Sequence, residues 1–404
     1  MISVEEALAR VLAPLKPVGT EVVPIAEAHG RVLAIAVSAT ISHPPAPVSA
    51  MDGYAVRAAD IAAVPASLEL VGESRAGVRY PGTLGPGETV RIFTGAVMPD
   101  GADTVAIQEN ATFDGGRITI NETASHGTFV RAAGLDIEVG DRLVDAGTRL
   151  TARDVALISS TNIAEVTVYR EPVIAILATG DELVMPGEEL GADQIVSSNS
   201  VALAGYIRAF GGKPRSLGIA RDDSESLGAA LAELDDVDML ITIGGASVGD
   251  YDLVASELGA RGLEINFNKI AMRPGKPMIS GRFGDVPMLG LPGNPVSVGV
   301  TSLLFVGPAV GVLAGTGPVR AETGRARLGR DLGANDRREE YLRADLEIGD
   351  DGEPVATPVD RQDSAMFAKF AHAGCLVKRA PFAEAAASGS WVDIVYFPAG
   401  PLRF

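Results

Sequence analysis

The chain holds a single cysteine, Cys375, in 404 residues. One thiol rules out a disulfide framework and any CxxC metal site. Flanked by Gly374 and Leu376, it reads as a core residue, and nothing around it suggests a nucleophile. Histidine is scarce as well. His29, His43, His126 and His372 stand far apart with no HExxH-like spacing, so no zinc or iron centre is expected. Basic residues are outnumbered, 34 Lys and Arg against 52 Asp and Glu, for a formal net charge of −18. Such a field repels nucleic acid and anionic membranes, and any anionic ligand has to be met by a local cluster of cations. The opening MISVEEALARVLAPL carries acids early. It reads as an amphipathic helix with a Ser3…Glu6 capping box rather than a signal peptide. The expectation is a cytoplasmic protein with neither nucleic acid nor membrane as partner.

What is present points to a large folded chain. At 47% hydrophobic and 21% charged it can bury a core, and its length suggests two to four domains. Residues 296–315 run twenty positions without a charge, with Gly307, Gly311 and Gly315 repeating at four. That count would suit a spanning helix with a packing face. Pro308 and the glycines lower its hydrophobicity, and basic anchors are missing on its N-terminal side. A buried helix closing an α/β sheet is the expectation.

In chain order, residues 1–41 and 139–170 read as one mixed domain, with Thr151 capping a helix through about Ser159. Residues 42–138 interrupt it. They are rich in Gly and Pro, with strand-like runs at 67–71, 89–93, 104–108 and 117–120 and turns at Pro81-Gly82, Pro86-Gly87 and Asp114-Gly115. An inserted β-rich domain follows from that pattern. From 171 to 316 strands (173–178, 215–220, 239–243, 263–269, 286–291) alternate with helices (202–210 stopped by Gly211, 224–234 entered by an Asp222…Glu225 cap, and one opening at 252–259). A last helix is capped by Asn294, with Pro295 at its first position. The alternation implies a doubly wound, mostly parallel sheet. Residues 317–404, with strands at 325–332, 340–347, 375–378 and 391–397, read as a C-terminal β-barrel-like domain. The fold class is therefore multidomain, α/β plus β.

The stretch DMLITIGGASVGDYD, residues 238–252, centres the chemistry. A buried strand ends in Gly244 and Gly245, turns through Ser247 and Gly249, and reaches Asp250 and Asp252. Glycines let backbone N–H groups approach an anion, and carboxylates just beyond can hold a hard cation such as Mg²⁺. Alone this could be a tight turn with a solvated acidic helix start. In doubly wound sheets, however, ligands bind outside the carboxyl ends of the strands. Five clusters follow predicted strands: Thr179 to Glu182, Arg221 to Asp223, the glycine turn, KIAMRPGK from Lys269 to Lys276, and Pro292, Gly293, Asn294 and Pro295. Acids, glycine turns and the cations Lys269, Arg273 and Lys276 are expected to converge on that edge. Asp52 before Gly53, Thr94 before Gly95, Asp136, and the loop Gln362-Asp363-Ser364 are each ambiguous alone, readable as plain turns.

Taken in order, SAMDGYAV, FTGA…PDGADTV, TGDEL, GGASVGDYD, RPGKP and GLPGNPVS resemble the molybdopterin molybdenumtransferase family, which includes MoeA and the gephyrin E domain. The likeness covers nearly the whole chain. It implies insertion of molybdate into adenylylated molybdopterin with Mg²⁺ and release of AMP. It also implies an elongated homodimer, in which the β-rich domain of one subunit completes the site of the other, and further partners in the molybdenum-cofactor pathway. By this resemblance Asp52, Thr94, Glu182, Asp222, Asp252, Lys269 and Arg273 match catalytic positions, Arg273 standing where a lysine is common. Asp136, Pro292, Pro295 and Ser364 match substrate-site positions. Glu182, Asp250 and Asp252 are the candidates for Mg²⁺. Lys276, Arg273, Ser247 and the amides from Pro292 to Asn294 are the candidates for the molybdate dianion. The rivals are a molybdopterin adenylyltransferase, whose Gly-Gly-Thr-Gly turn followed by Arg-Asp is not found here, and a non-catalytic scaffold of the gephyrin type.

Overall fold

The structure is a computed structural model and describes residues 1–244, 259 and 262–397. A six-stranded sheet lies at its centre, in the order Lys213–Ala220, Val173–Thr179, Met239–Ile243, Val286–Leu291, Ile279–Phe283 and Leu263–Phe267. The first four strands are parallel. Ile279–Phe283 is antiparallel to both neighbours, so Leu263–Phe267 again points with the first four. Both faces are covered. Ile174 and Ile176 pack with Leu203, Ile207 and the 296–313 segment, whereas Ala175 and Leu177 pack with Leu227 and Leu231 on the other side. Burial on both faces is why these strands are near-continuous apolar runs and not alternating ones.

Sequence patterning passed over the Ile279–Phe283 strand. Phe283 pairs with Val286 across Gly284 and Asp285, with Gly284 at φ +58°. This two-residue Gly-Asp hairpin loop was a readable signal. The predicted strand at 263–269 ends at Phe267. The helix expected at 202–210 starts earlier, at Ser198, and the one expected to reach Leu234 ends at Leu231. Ser3 accepts from the Glu6 amide at 3.1 Å, but Glu6 turns to Arg10 and does not complete a reciprocal capping box. At Thr151 both halves of the box form with Asp154.

The charge-free run forms the helix Pro295–Leu313, 89% buried, with a wider turn over Ser302–Val306. Its glycines serve close packing. A Cβ at Gly307 would strike the Phe210 ring, and one at Gly311 would strike the Gly317 carbonyl. The four-residue spacing that suits a membrane helix is used here inside the core.

Segments far apart in sequence join in two short ladders, Thr20–Pro24 with Glu165–Tyr169 and Val37–Ser38 with Arg142–Val144. Between them Thr104–Ile107, Gly53–Val56, Glu88–Ile92, Ala66–Ser74, Arg117–Ile120 and Ala111–Asp114 build a separate six-stranded sheet. The C-terminal strands Glu339–Ile348, Pro354–Pro358, Thr323–Leu328, Trp391–Tyr396 and Cys375–Arg379 close on themselves as a five-stranded barrel. Pro354–Pro358 is not among the strands expected from the sequence. Cys375 lies buried in the barrel core, and burial pushes its thiol up to about 12.

Candidate functional site

The carboxyl ends of the parallel strands open on a cleft of about 540 Å³. Each wall comes from a different loop. Gly180 and Glu182 follow Val173–Thr179, Asp222 follows Lys213–Ala220, Gly244 follows Met239–Ile243, and Pro292, Gly293, Asn294 and Pro295 follow Val286–Leu291. Gly244 sits at φ +97°, and a Cβ there would come within 2.5 Å of the Thr179 carbonyl oxygen. At Gly293 the nearest atom to such a Cβ would be the Gly244 Cα, 3.8 Å away. The floor is thus two bare stretches of backbone facing each other, the condition for close approach of an anion.

Asp222 was expected to cap the following helix. The cap is Asp223, which accepts from the Ser226 amide at 2.8 Å. Asp222 stands one residue earlier, where its N–H donates to Asp181 Oδ1 at 3.3 Å and the residue lines the cleft. Asn294 occupies its cap position without a side-chain bond to the helix. Its amide instead donates to Ser364 Oγ at 2.8 Å, and the Ser364 carbonyl accepts from the Val296 amide at 3.2 Å. This draws the C-terminal domain to the rim, where Ala365 joins the lining. Sequence reasoning missed two supports of this arrangement. Asn199 Nδ2 donates to the Gly293 carbonyl at 2.6 Å, and the Ser-Ser-Asn run heading a helix was its signal. Arg343, only 1% exposed, donates to Gln362 Oε1 and to the carbonyls of Arg361 and Met366 at 3.1 to 3.2 Å, pinning the loop that carries Ser364.

The predicted cations are placed elsewhere. Met272–Arg273 pairs with Glu339 and Glu340 of the barrel, and Arg273 forms ion pairs with Glu340 at 2.6 Å and Asp336 at 3.9 Å. Lys276 lines a separate concavity with Arg337 and Arg338. Lys269 does not line the cleft, although Pro277, directly after Lys276, does. Convergence on one rim therefore holds for the acids and the turns described, and within one chain it does not extend to Lys269, Arg273 and Lys276. For Arg273 the reason is its capture by barrel carboxylates. Gly245, Ser247, Gly249, Asp250 and Asp252, and the helix predicted at 252–259 apart from Gly259, lie outside the described residues.

Asp52 and Thr94 meet in the β-rich region. Asp52 Oδ1 accepts from the Thr94 amide at 2.7 Å and from Thr94 Oγ1 at 2.8 Å. The two hydrogen bonds, aided by the Arg91 charge, hold the carboxyl below its usual value. Asp136 is exposed on the strip joining this region to the rest, its N–H donating to the His43 carbonyl at 3.1 Å. None of residues 42–138 lines the cleft.

A larger concavity, about 620 Å³, opens at the amino ends of the strands beneath the first helix. Its arginines are already matched, Arg10 to Glu6 at 2.6 Å and Arg282 to Glu264 at 2.9 Å. The smaller cleft at the carboxyl rim, with loop carboxylates and bare peptide groups, is the better-equipped site. Among the described residues no three His, Cys, Asp or Glu side chains gather as a metal site. The two acidic side chains of the cleft, Glu182 and Asp222, offer oxygen donors alone.

An open α/β sheet with such a rim, carried in a multidomain chain, places the protein in the class of α/β proteins that take a ligand at the carboxyl ends of their strands. Comparison with known proteins narrows the class. Residues 2–161 match the MoeA N-terminal region (domain I and II), residues 175–311 a probable molybdopterin binding domain, and residues 325–397 the MoeA C-terminal region (domain IV). A molybdopterin molybdenumtransferase of Nostoc sp. is 40% identical over 343 residues, covering 82% of this chain and 78% of that protein. One from Haemophilus influenzae is 33% identical over 385 residues, covering 93% and 94%. The solved structure of a molybdopterin biosynthesis MoeA protein from Pyrococcus horikosii superposes with a TM-score of 0.88 at 35% identity, over 99% of this chain and 100% of that one. The chain belongs to the molybdopterin molybdenumtransferase (MoeA) family, transferases of molybdenum cofactor biosynthesis.

Proposed function

We propose that the chain inserts molybdate into adenylylated molybdopterin in a Mg²⁺-dependent reaction that releases AMP, in the cytoplasm and as a homodimer. The observation that carries this reading is the carboxyl-rim cleft, where Glu182, Asp222, Gly244 and the Pro292 to Pro295 turn come together from four loops. Cleaving a phosphoanhydride calls for charge neutralisation and positioning, with little covalent chemistry from the protein. The backbone at Gly244 and Gly293 offers close approach to phosphate, and Asn294, held by Ser364, orients the turn beside it.

Mg²⁺ fits the oxygen-only donor set, since it is usually held by one or two carboxylates together with substrate phosphates and water. Glu182 and Asp222 would hold it here, with Asp250 and Asp252 as further candidates. When bound it neutralises charge on the phosphate oxygens. Lys276 and Arg273 are the cation candidates for the molybdate substrate, though neither lines the cleft of its own chain, and the amides of the Pro292 to Asn294 turn are the candidates inside it. Asp52 and Thr94 line no part of the cleft in their own chain, which supports a dimer in which a second copy brings them to it.

The test supplies purified protein with adenylylated molybdopterin, Mg²⁺ and molybdate. Molybdate-dependent AMP release and cofactor formation are expected. Nucleotide transfer from ATP to molybdopterin without molybdate would support the adenylyltransferase instead, and a monomer by sedimentation would end the shared-site arrangement.

A further inference from the structure

We propose that Arg91 is a positioning residue for Asp52, fixing the placement of that carboxylate. The inference rests on the reading that Asp52 takes part in the reaction. Arg91 stands on Glu88–Ile92, directly opposite Tyr54 on Gly53–Val56. Its guanidinium lies 4.9 Å from the Tyr54 ring centroid and 5.0 Å from that of Phe93. Nη1 donates to the Gly53 carbonyl at 3.3 Å, and Nη2 donates to Gln108 Oε1 at 2.6 Å.

Each contact leads to Asp52. Gly53 follows it in the chain. Gln108 donates its N–H to the Asp52 carbonyl at 3.1 Å. Phe93 precedes Thr94, which donates twice to the Asp52 carboxylate. One planar fork therefore braces the residue after Asp52, the residue across from it, and the ring beside its hydrogen-bond partner. A lysine has the charge but not the fork. Glu73 is the neighbour of Arg91 in register on Ala66–Ser74, but it pairs with Arg75 at 3.5 Å. Glu69, the other acid of that strand, lies opposite Glu88, Glu109 follows Gln108, and Tyr54 is the titratable group on Gly53–Val56. Among the described residues no carboxylate forms an ion pair with Arg91, so its charge is available to favour the ionised form of Asp52.

The experiment compares Asp52→Asn, Arg91→Met, Arg91→Lys and Gln108→Ala in the full-length protein. The readouts are kcat, KM, the pH profile and the Asp52 carboxyl titration followed by NMR. Arg91→Met is expected to lower kcat at least tenfold with KM little changed, and to move the acid limb of kcat and the NMR titration to higher pH. Arg91→Lys should leave the acid limb in place and still lower kcat severalfold, because charge is kept and bracing is lost. Gln108→Ala, at an exposed side chain, should lower kcat in the same sense but less. If Asp52→Asn is inactive while both Arg91 variants match the parent in kcat and titration, the inference is overturned and the role of Asp52 stands. If Asp52→Asn is fully active, the reading beneath it falls and the inference with it. Should Arg91→Met fail to fold, an unchanged kcat in both Arg91→Lys and Gln108→Ala overturns the proposal.

Discussion

Asp52 and Glu182 are both carboxylates at strand ends, but they are held in opposite ways. Asp52 is fixed locally, by two hydrogen bonds from Thr94 and by a corner built from adjacent strands. Glu182 is placed by topology. It reaches the cleft because Val173–Thr179 lies between Lys213–Ala220 and Met239–Ile243, and its neighbours there come from loops far away in the chain. The contrast teaches where damage should appear. A change at the corner should harm function and spare the fold, whereas a change beneath the rim should reach both.

The sharpest way to break that comparison is Asp52→Ala. Activity should fall roughly 100-fold or more, the scale of losing a positioned acid–base or charge-stabilising group. The melting temperature should hardly move, since the residue is a surface corner. A large drop in melting temperature would show that the corner is structural. Mixing Asp52→Ala subunits with Glu182→Ala subunits should then restore part of the activity if two copies share each site. No recovery in demonstrated mixed dimers would confine both acids to one chain.

Next in size is Arg343→Met. It leaves the carbonyls of Arg361 and Met366 without the buried guanidinium that donates to them, while Gln362 Oε1 keeps only the Arg343 backbone N–H. A loss of about 3 kcal/mol is expected in urea unfolding. Activity should also fall, because the loop holding Ser364 against Asn294 loosens. Gly244→Ala forces a side chain into a left-handed backbone against the Thr179 carbonyl. It should destabilise by roughly 1–3 kcal/mol and lower activity more than Gly293→Ala, where a Cβ has room.

The smallest effect concerns acid stability at the barrel rim. Asp336, hydrogen-bonded by Arg338 and near Arg273, is lowered from 3.8 to about 2. A carboxyl depressed on folding adds stability that is present above its unfolded value and is lost as pH falls toward the folded one. Asp336→Asn should therefore flatten the stability profile between pH 4 and about 2, as followed by thermal melts. An unchanged slope in that window would remove Asp336 from the acid response.

Much of the fold was legible because long, periodic or buried segments announce themselves. Val173–Thr179, Met239–Ile243 and Val286–Leu291 are apolar runs of strand length, and they fell within a residue of expectation. Less legible were short or polar elements whose pairing depends on a distant partner, such as Ile279–Phe283 and Pro354–Pro358. The same limit governed the site. Glu182, Asp222, Gly244 and the Pro292 to Pro295 turn follow strands whose direction can be inferred, so their shared edge was predictable. Arg343 and Asn199 were not singled out, because each acts on a carbonyl that only the folded loop presents to it.

Residue order alone determined the alternation of strand and helix, the turns that end them and the types of donor available at one rim. These depend on local spacing and on which side chains can be buried. Tertiary structure alone decided that Arg273 faces Glu340 of the barrel, that Asp223 and not Asp222 caps its helix, and that Ser364 meets Asn294. A charge or a hydrogen-bonding group takes whichever partner the packed chain brings within about 3 Å. That distance is set by elements far apart in sequence, and local patterning carries no record of it.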